Sequence, residues 1–564
     1  MAFERVWHKN YPVGTPSKVS IEKLTMPEVL DRAVLKFPQN PAIIYMGKII
    51  SYLELDLLVN RFATALIDLG VTPGDKVGML LPNIPHAVIA NFATHRIGGV
   101  TAMNNPLYTE RELEYQLNDS DATVLVTLDL LFPRVIKIQK NTKIKTIITC
   151  HINDFFPFPT KQLFPFVKKK MFRKDTPHEG TYSFMDLIKK YSKLKTELKV
   201  ENKASWEDTA ALIYTGGTTG VSKGAELTHA NLSSVVQQFS AWFPEIGIGD
   251  HERILGVYPI FHSAGYSVSQ NLPIWNAWSV VLVPRPDPVV ICDMLKKFKP
   301  TFLPGVPTIF VGLLNHKPFR DMDLSFVKGY FGGAAPLAED TLNQLKEIHG
   351  AVINDVYGAT ENTAFATCIP WKGKVKVGTV GVPLPNTDVK IVDFETGTIE
   401  LETGKEGEVC IKGPQVMKGY YKKKEETAAA IKDGWFYLGD IGIMDEEGYL
   451  TIVDRKSDMI IASGYNIYPQ EIDEVLMGHP EILEACAIGV SDSYRGETVK
   501  AYVVLMPQKK LSEEEVIEYC KESLAAYKVP RSISFIKELP KSAVGKILRR
   551  EIKRIDEEQA AKEP

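Results

Sequence analysis

The pattern that most constrains the fold is an alternation of helical periodicity with short apolar runs. It occupies residues 27–150 and resumes from 208 to about 360. Residues 76–81 and 122–127 have the composition of buried strands, and the stretch 84–97 between them has helical periodicity. Strands that alternate with helices pair in parallel, because each helix returns the chain to the same end of the sheet. The sequence therefore predicts an α/β fold with helix-covered parallel sheets.

The chain is long enough for more than one domain, and its pattern changes after about residue 360. At 564 residues it exceeds what one hydrophobic core normally supports. Residues 376–453 contain short strands, glycine-rich turns and little helix, whereas a compact α+β pattern runs from Asp454 to about 555. The sequence thus predicts a β-rich subdomain at 376–453, followed by a small C-terminal domain.

Composition limits the classes of protein to which the chain can belong. Hydrophobic content of 45%, charged content of 24% and a formal net charge of −3 are typical of a soluble globular protein and give no sign of a nucleic-acid partner. Six cysteines without a C-x-x-C pair and eleven histidines without an H-x-x-x-H pair disfavour disulfide and zinc frameworks. The N-terminus lacks the apolar core of a signal peptide, and no apolar stretch is long enough to span a bilayer. We therefore expect a cytoplasmic protein.

A glycine- and threonine-rich segment, 214–224, has the chemistry of a phosphate-binding loop and follows the apolar, strand-like run 210–214. Its glycines allow backbone N–H groups to approach a ligand, its hydroxyls add donors, and its lysine adds positive charge. The spacing is neither that of a Walker loop nor that of a G-x-G-x-x-G fingerprint. A surface turn is the alternative interpretation. The residues predicted to bind phosphate are Thr215, Gly216, Gly217, Thr218, Thr219, Gly220 and Lys223.

Five further segments carry small, aromatic or charged residues that would suit a nucleotide site. Each is weak by itself, since Asp-Gly pairs are common turns and lysines are usually solvated. They are 332–336, 355–361, 434–440, 454–458 and 540–546.

In their order and spacing, these segments and the glycine-rich loop resemble the adenylate-forming superfamily. That superfamily includes acyl-CoA synthetases, aryl-CoA ligases, firefly-type luciferases and peptide-synthetase adenylation domains. The resemblance covers about 25–556. Within the superfamily the chain is most similar to bacterial-type long-chain fatty-acyl-CoA synthetases, through residues 6–12, 105–113, 412–417 and 433–455.

The resemblance implies a two-domain architecture. Residues 1–453 would form a large N-terminal domain of βα-layered sheets plus a small distorted β-barrel. A hinge at 454–458 would lead to a small, mobile α+β domain at 459–564, which rotates between two half-reactions. Ser457 stands where many relatives carry a hinge Asp or Lys, so the identity of the pivot stays open. Leu438 stands where they carry a small hydroxyl residue, so one nucleotide contact stays open.

The resemblance also implies a two-step reaction. The carboxylate of a long-chain fatty acid would attack the α-phosphate of ATP to give acyl-AMP, and the thiol of coenzyme A would then displace AMP. Because the first step joins two anions, cations and donors must surround the α-phosphate. Glu361 and Thr215 would hold Mg²⁺, and Lys546 would neutralise the attacked phosphate. His262 would line the boundary between the acyl pocket and the CoA tunnel, although a histidine in an apolar run is often a core residue.

Contacts to the nucleotide and to coenzyme A are implied in the same way. Tyr357 would stack on adenine, Asp440 would accept both ribose hydroxyls, and Arg455 would reach the ribose or the α-phosphate. Gly464 would let the pantetheine arm of coenzyme A pass close to the backbone. The other residues assigned to the nucleotide slot are Gly333, Ala334, Asp355, Gly358 and Thr360.

Residues 152–200 interrupt the α/β pattern with several phenylalanines and the basic run Lys168–Lys170. Aromatic residues beside clustered cations are typical of a segment that contacts anionic lipid. The alternative is an excursion whose aromatics pack on their own domain.

Two other functions stay open, a ligase for medium-chain or aryl acids and a catalytically weak lipid-uptake protein. The oligomeric state is open, and a homodimer is compatible with the sequence.

Overall fold

A computed structural model describes most of the chain. The described residues are 5–174, 178–192, 199–215, 222–333, 335, 337, 339–462, 465–492, 496–542 and 545–560. Within these ranges the strands form a nine-stranded sheet, an eight-stranded sheet and two five-stranded sheets. None of the helices in the described ranges combines the length and the apolarity that crossing a bilayer requires.

The strands are numbered along the chain. They are β1 (Pro41–Tyr45), β2 (Lys48–Ser51), β3 (Lys76–Leu80), β4 (Val100–Met103), β5 (Val124–Leu128), β6 (Thr146–Cys150), β7 (Thr181–Ser183), β8 (Thr209–Thr215), β9 (Lys223–Thr228), β10 (Arg253–Gly256), β11 (Ser279–Leu282), β12 (Phe302–Pro304), β13 (Gly329–Gly333), β14 (Ile353–Tyr357), β15 (Thr367–Cys368), β16 (Val382–Pro383), β17 (Asp388–Val392), β18 (Glu406–Lys412), β19 (Gly419–Tyr420), β20 (Ile431–Lys432), β21 (Trp435–Met444), β22 (Leu450–Arg455), β23 (Ile460–Ala462), β24 (Tyr465–Ile467), β25 (Ile482–Asp492), β26 (Gly496–Leu505) and β27 (Ser532–Phe535).

The α-helices are numbered in the same way. They are α1 (Met26–Lys36), α2 (Tyr52–Asp68), α3 (Pro85–Arg96), α4 (Glu110–Asp119), α5 (Phe132–Gln139), α6 (Thr160–Val167), α7 (Phe184–Ser192), α8 (His229–Ser240), α9 (Ser263–Gly265), α10 (Leu272–Asn276), α11 (Pro288–Phe298), α12 (Pro307–Leu314), α13 (Lys317–Arg320), α14 (Glu339–His349), α15 (Lys424–Ala430), α16 (Pro469–Met477), α17 (Glu513–Ser523) and α18 (Arg549–Ala560). Short 3-10 turns lie at Val6–Asn10, Lys169–Met171 and Thr360–Asn362, and a π-helix lies at Tyr266–Asn271.

The two large sheets have parallel cores. The nine-stranded sheet has the order β16-β15-β14-β13-β12-β10-β11-β1-β2, and it is parallel from β14 to β1. The eight-stranded sheet has the order β19-β9-β8-β4-β3-β5-β6-β7, and it is parallel from β8 to β7. The α/β fold predicted from the alternating pattern is therefore confirmed. The predicted strands 76–81 and 122–127 correspond to β3 and β5, and α3 lies within 84–97.

Local sequence explains where several helices begin, and tertiary packing explains the polar residues within the buried helix α3. Capping boxes start α4 and α17, where a threonine or serine and a glutamate three residues later exchange hydrogen bonds with each other's backbone N–H groups. Every residue of α3 is buried, including the polar residues Asn91, His95 and Arg96, so this helix has no face exposed to solvent. Its last residue, Arg96, pairs with Asp56 at 2.6 Å and with Asp31, which ties α3 to α2 and α1.

The β-rich region forms an open sheet rather than a closed barrel. Its order is β17-β18-β21-β20, with β22 paired to the other part of β21, and its pairs are antiparallel. No pairing joins β17 to β20 or β22 among the described strands. Closure needs continuous hydrogen bonding around the sheet, and β20 spans only Ile431–Lys432.

The C-terminal sheet has the order β24-β23-β26-β25, and β27 adds in parallel to β26. Helices α16 and α18 pack against β25, and α17 packs against β27 and α16. This arrangement is the α+β pattern predicted after Asp454. Its main hydrophobic cluster, between Ile460 and Ile533, is separate from the large cluster that ends at Leu450.

Candidate active site

Several of the predicted site residues lie at the carboxyl ends of parallel strands. Thr215 ends β8, Gly333 ends β13 and Tyr357 ends β14, while His262 lies in the segment after β10. Ligands of open α/β sheets bind at this edge, because loops leave the strands there and expose backbone groups. The ends of β8, β13 and β14, from the two large sheets, are therefore the expected base of a ligand-binding cleft. Asp440 on β21, Arg455 at the end of β22 and Lys546 from the C-terminal region approach the same cleft.

The glycine-rich loop connects two antiparallel strands. Thr215 and Lys223 are cross-strand partners in the β8–β9 pair, so the two ends of the loop lie side by side. The hydroxyl of Ser222 donates to the backbone oxygen of Thr215 at 2.5 Å, which closes the base of the loop. The predicted residues Gly216, Gly217, Thr218, Thr219 and Gly220 lie outside the described residues.

Glu361 lies on a short 3-10 turn that packs against β8 and β9. The backbone oxygen of Glu361 accepts a 2.7 Å hydrogen bond from the N–H of Met417. The neighbouring Thr360 hydroxyl is 3.2 Å from that of Ser263, which links this turn to the segment after His262. Glu361 and the two ends of the glycine-rich loop therefore belong to one packed group.

Gly358 has a structural reason to be glycine. A Cβ on Gly358 would lie 2.3 Å from the backbone oxygen of Ala364, so even alanine would force the backbone apart. Thr363 and Ala364 have φ values of 58° and 77°, which shows how tightly the chain turns after Glu361. Gly358 thus shapes the loop that carries Glu361, besides any contact with a nucleotide.

The structure adds one residue to this group that sequence reasoning missed. The hydroxyl of Tyr420 donates to Oε1 of Glu361 at 2.7 Å, and Nζ of Lys223 lies 4.4 Å from the centre of the Tyr420 ring. Tyr420 thus connects the predicted metal ligand with the predicted phosphate-binding lysine. Its only sequence signal is a tyrosine after Gly419, a few residues beyond the 412–417 motif, and nothing local shows that it points at Glu361.

We expect Tyr420→Phe to slow adenylate formation about tenfold and to raise the Mg²⁺ concentration that half-saturates the reaction. Phenylalanine keeps the ring beside Lys223 but removes a hydrogen bond to a charged group, which is worth about 1.5–3 kcal/mol. A Mg²⁺ titration of ATP–pyrophosphate exchange measures both effects. The matched control is Tyr421→Phe, since the Tyr421 hydroxyl donates to Asp121 at 3.1 Å, away from Glu361. Equal effects of the two substitutions would refute a positioning role for Tyr420.

Tyr357, Asp440 and Arg455 form a connected set. The Tyr357 hydroxyl donates to Oδ2 of Asp440 at 2.6 Å, and Nε of Arg455 lies 3.0 Å from Oδ1. Asp440 and Arg455 are also cross-strand partners between β21 and β22. Burial, followed by the charge of Asp440, raises the pKa of Tyr357 well above its usual value. The structure therefore brings together the three residues predicted to hold adenine, ribose and the α-phosphate region.

The rest of the predicted adenine slot lies beside Tyr357. Gly333 lies opposite Val356 in the β13–β14 pair, and a Cβ on Gly333 would be 3.2 Å from the Val356 oxygen. A larger side chain would therefore narrow the slot. Burial raises the pKa of Asp355 to about 7, because its carboxylate is removed from water, and the N–H of Val356 compensates in part. Ala334 lies outside the described residues.

Lys546 enters the cleft on a tight turn from the C-terminal region. The Ser542 N–H donates to the Lys546 oxygen at 2.7 Å, and Gly545 adopts φ 76° between them. A Cβ on Gly545 would lie 2.6 Å from the hydroxyl of Thr308 on α12, so this turn sits directly on the large domain. The Lys546 side chain keeps access to solvent in the cleft, although protein surrounds it.

The electrostatics place Lys546 among the other site residues. Desolvation by the surrounding protein, followed by the positive charge of Arg455, lowers the pKa of Lys546 to about 8, while Asp440 and Asp458 oppose this shift. Burial and the charge of Lys546 lower the pKa of His262 to about 4, so His262 is neutral at physiological pH. The structure thus brings His262, Arg455 and Lys546 into one electrostatic environment.

The lowered pKa of Lys546 predicts a pH effect. Only the protonated amine can neutralise phosphate charge, so kcat/KM for ATP should fall as the pH rises through about 8, by about tenfold per pH unit beyond it. ATP–pyrophosphate exchange from about pH 6.5 to about pH 9.5 measures this falling limb of the pH profile of kcat/KM. Lys546→Arg should remove it, because arginine stays charged in that range. An unchanged falling limb in Lys546→Arg would assign it to another group.

Two hydrogen-bonded pairs order the hinge and the helix that follows Lys546. Oδ2 of Asp454 accepts the N–H of Gln470 at 2.8 Å, which ties the predicted hinge to the first turn of α16. Nη2 of Arg549 donates to Oδ2 of Asp473 at 2.9 Å and anchors α18 just after Lys546. The predicted hinge residue Ser457 is exposed, and Gly464 lies outside the described residues.

Comparison with known proteins agrees with this geometry. The family described as AMP-binding enzyme matches residues 30–421, and that described as AMP-binding enzyme C-terminal domain matches residues 471–546. Crystal structures of ATP-bound MatB from Rhodopseudomonas palustris and of the anthranilate CoA ligase AuaEII with anthranoyl-AMP both superpose with a TM-score of 0.82. They are 28% and 25% identical to this chain and cover 94% and 95% of it, over 99% and 98% of their own chains. The chain belongs to the AMP-binding enzyme family.

The sequence relatives are more specific. A long-chain-fatty-acid–CoA ligase of Bacillus subtilis (strain 168) is 40% identical over 554 residues, and one of Escherichia coli O157:H7 is 35% identical over 564 residues. Each alignment covers 98% of this chain and 98% of the relative. The resemblance to the adenylate-forming superfamily, and within it to bacterial long-chain fatty-acyl-CoA synthetases, is therefore confirmed.

Proposed function

We propose that the protein is a long-chain-fatty-acid–CoA ligase. It activates a fatty acid with ATP, releases pyrophosphate, and transfers the acyl group from acyl-AMP to coenzyme A with release of AMP. The observation that carries this proposal is the cleft in which Glu361, Asp440, Arg455 and Lys546 converge from distant parts of the chain. Relatives named for this activity match nearly the full length of both chains, and a similar structure was solved with ATP bound.

In the first half-reaction the chain's own residues orient ATP and neutralise its charge. Tyr357 packs against the adenine, while Asp440 accepts the ribose hydroxyls in exchange for part of its present contact with Tyr357. Residues 215–220 and Lys223 bind the β- and γ-phosphates through backbone N–H groups, hydroxyls and one amine. Lys546 and Arg455 stabilise the charge that develops on the α-phosphate when the carboxylate attacks, a form of electrostatic catalysis.

The donor set around Glu361 fits Mg²⁺. This ion prefers oxygen ligands and is usually held by one or two carboxylates together with substrate phosphates and water. The Glu361 carboxylate, with the Thr215 hydroxyl at the adjoining strand end, supplies such oxygens beside the phosphate-binding loop. When bound, Mg²⁺ would neutralise phosphate charge. Tyr420 would hold the Glu361 carboxylate in the orientation that binding requires.

In the second half-reaction the C-terminal domain, 459–564, turns about the hinge at 454–458. Separate hydrophobic clusters on either side of the hinge support this division, because each domain can move without opening its own core. The hydrogen bond between Asp454 and Gln470 and the close approach of Gly545 to Thr308 would hold the adenylation orientation and would break on rotation. Lys546 then leaves the cleft, and Gly464 borders the path of the pantetheine arm. Neutral His262 lies between the acyl chain and the incoming thiol.

We further propose that the enzyme is a cytoplasmic protein that meets its substrate at an anionic membrane surface, through the 152–200 segment. A free long-chain acid leaves water readily, at about 0.8 kcal/mol for each methylene. Its concentration is therefore highest in the bilayer, so an enzyme at that surface draws on the larger pool.

The test of the proposed function is acyl-CoA formation and ATP–pyrophosphate exchange across acids of about two to about eighteen carbons. Each methylene buried on binding should raise kcat/KM about fourfold until the pocket is full. A maximum at long acids supports the proposal. A maximum at medium-chain or aryl acids would transfer the assignment to another ligase of the family, and absence of exchange with every acid would favour a lipid-uptake protein.

A further inference from the structure

The face of α6 that points to solvent is apolar. Leu163, Phe166 and Val167 are 53%, 74% and 71% exposed, and their spacing of three and four residues places them on one side of the helix. Phe158, 83% exposed, precedes the helix and Met171, 38% exposed, follows it. An amphipathic helix of a soluble domain normally buries such a stripe. Here the stripe has no cover among the described residues, which marks it as a contact surface.

A cluster of cations adjoins this stripe. Lys168, Lys169 and Lys170 follow α6 directly, and Arg173 and Lys174 come after the 3-10 turn; all five are exposed. Within the described ranges no side-chain carboxylate pairs with Lys168, Lys169 or Lys170. The apolar stripe and the cluster together form what we call the α6 surface, residues 158–174.

The opposite face of the same segment is anchored to the protein. The ring of Phe164 meets buried Phe156 edge-on at 5.1 Å, and the Phe172 ring stacks on His151 at 4.8 Å. Nζ of Lys161 donates to the backbone oxygen of Asp154 at 2.7 Å. The phenylalanine-rich segment therefore divides into one set of residues that packs inward and another that points outward.

We propose that the α6 surface is the site at which the protein docks on an anionic phospholipid bilayer, a partner that rests on the proposed fatty-acid activation. Phe158, Leu163, Phe166 and Val167 enter the headgroup boundary, and Lys168–Lys170 lie at the level of the lipid phosphates. The anchored inner face keeps the helix parallel to the membrane plane without unfolding.

Charge and shape together favour a bilayer over a protein partner. Apolar side chains beside an unpaired row of cations match an interface that is apolar inside and anionic at its surface. Lysines are generally depleted at the centre of protein–protein interfaces, and a row of three would repel the same row on a second copy. An anionic bilayer needs no complementary set of side chains. It can contact the apolar stripe and the three lysines at the same time.

The test compares binding of the full-length protein to vesicles of phosphatidylcholine alone and of phosphatidylcholine with phosphatidylglycerol. Wild type should bind the anionic vesicles at least about tenfold more strongly, and this binding should weaken as salt rises. Two variants probe the two parts of the surface, and each should lose about tenfold or more of the anionic-vesicle binding. The variants are F158S/F166S and K168Q/K169Q/K170Q.

Exposed residues elsewhere provide matched controls. L35S/V377S removes apolar side chains that are 83% and 62% exposed, and K36Q/K405Q/K510Q removes three exposed lysines. Both should bind vesicles like wild type. Equal loss in the controls, binding that ignores lipid charge and salt, or a shift of F158S/F166S to a smaller oligomer would each overturn docking on the bilayer through the α6 surface.

Activity on a short, soluble acid separates this inference from the proposed function. All variants should retain it, because the α6 surface lies outside the cleft residues. Vesicle binding by a protein that forms no acyl-CoA from any acid would reject the ligase assignment alone. Full ligase activity in a protein that ignores anionic vesicles would reject the docking surface alone.

Discussion

Lys546→Ala should slow the formation of acyl-AMP by about a hundredfold or more, while thioester formation from supplied acyl-AMP changes little. Loss of one well-placed donor to transition-state charge costs about 3 kcal/mol, which corresponds to a factor of that size. The effect should be confined to one step, because the proposed rotation removes Lys546 from the cleft before the thiol attacks. ATP–pyrophosphate exchange measures the first half-reaction, and single-turnover conversion of acyl-AMP with coenzyme A measures the second.

The matched control is Lys541→Ala in the same C-terminal segment. The Lys541 amine pairs with Glu484 within the C-terminal region, so its loss should leave both half-reactions close to wild type. Equal damage to both half-reactions in Lys546→Ala would reject the alternating-domain mechanism. Circular dichroism and thermal unfolding should show wild-type behaviour in both variants, because neither lysine contributes to a hydrophobic core.

Glu361→Gln should raise the Mg²⁺ concentration needed for half-maximal adenylation by at least about tenfold. Substitution of groups that merely orient a metal ligand already costs about 10- to 100-fold in affinity, and loss of the ligand's own charge should cost no less. Glutamine keeps the size of the side chain and can still accept the Tyr420 hydrogen bond, so the fold should persist. The Mg²⁺ titration of ATP–pyrophosphate exchange gives the answer.

Glu226→Gln is the corresponding control for the loss of one carboxylate. Glu226 lies on β9, the strand that begins at Lys223, and pairs with Lys418 at 3.0 Å. Its substitution should leave the Mg²⁺ dependence unchanged. A Mg²⁺ titration of Glu361→Gln that overlays wild type would remove Glu361 from the metal site and would also leave the Tyr420 hydrogen bond without a catalytic purpose.

Local patterns predicted the elements well because the information for them is local. The buried strands of the two large sheets are short apolar runs, and β3 and β8 begin and end within one residue of the runs 76–81 and 210–214. Parallel pairing follows from the alternation with helices, since crossover connections leave few other arrangements. The β-rich region was also predicted by its short strands. The short strands did not predict that this sheet is open rather than closed into a barrel, because closure depends on the register of its edge strands.

The phenylalanine-rich segment shows where local patterns stop being informative. Composition alone could not tell Phe156, which is 7% exposed, from Phe158, which is 83% exposed. The difference arises because Phe156 meets the rings of Tyr45 and Phe164, whereas Phe158 lies at the turn into α6 and faces away from them. Tertiary contacts therefore separate the phenylalanines that pack inward from those that face solvent.

The sequence by itself determined the α/β class, the order of the motifs, and the chemical type at each predicted site position, because residue type and spacing are local properties. Only the tertiary structure decided which of these groups meet. Tyr357 reaches Asp440 across 83 positions, and Tyr420 reaches Glu361 across 59. Lys546 shares the electrostatic environment of Arg455 and His262. Such contacts depend on how sheets, turns and domains pack, and that packing is the sum of many weak interactions that no single segment encodes.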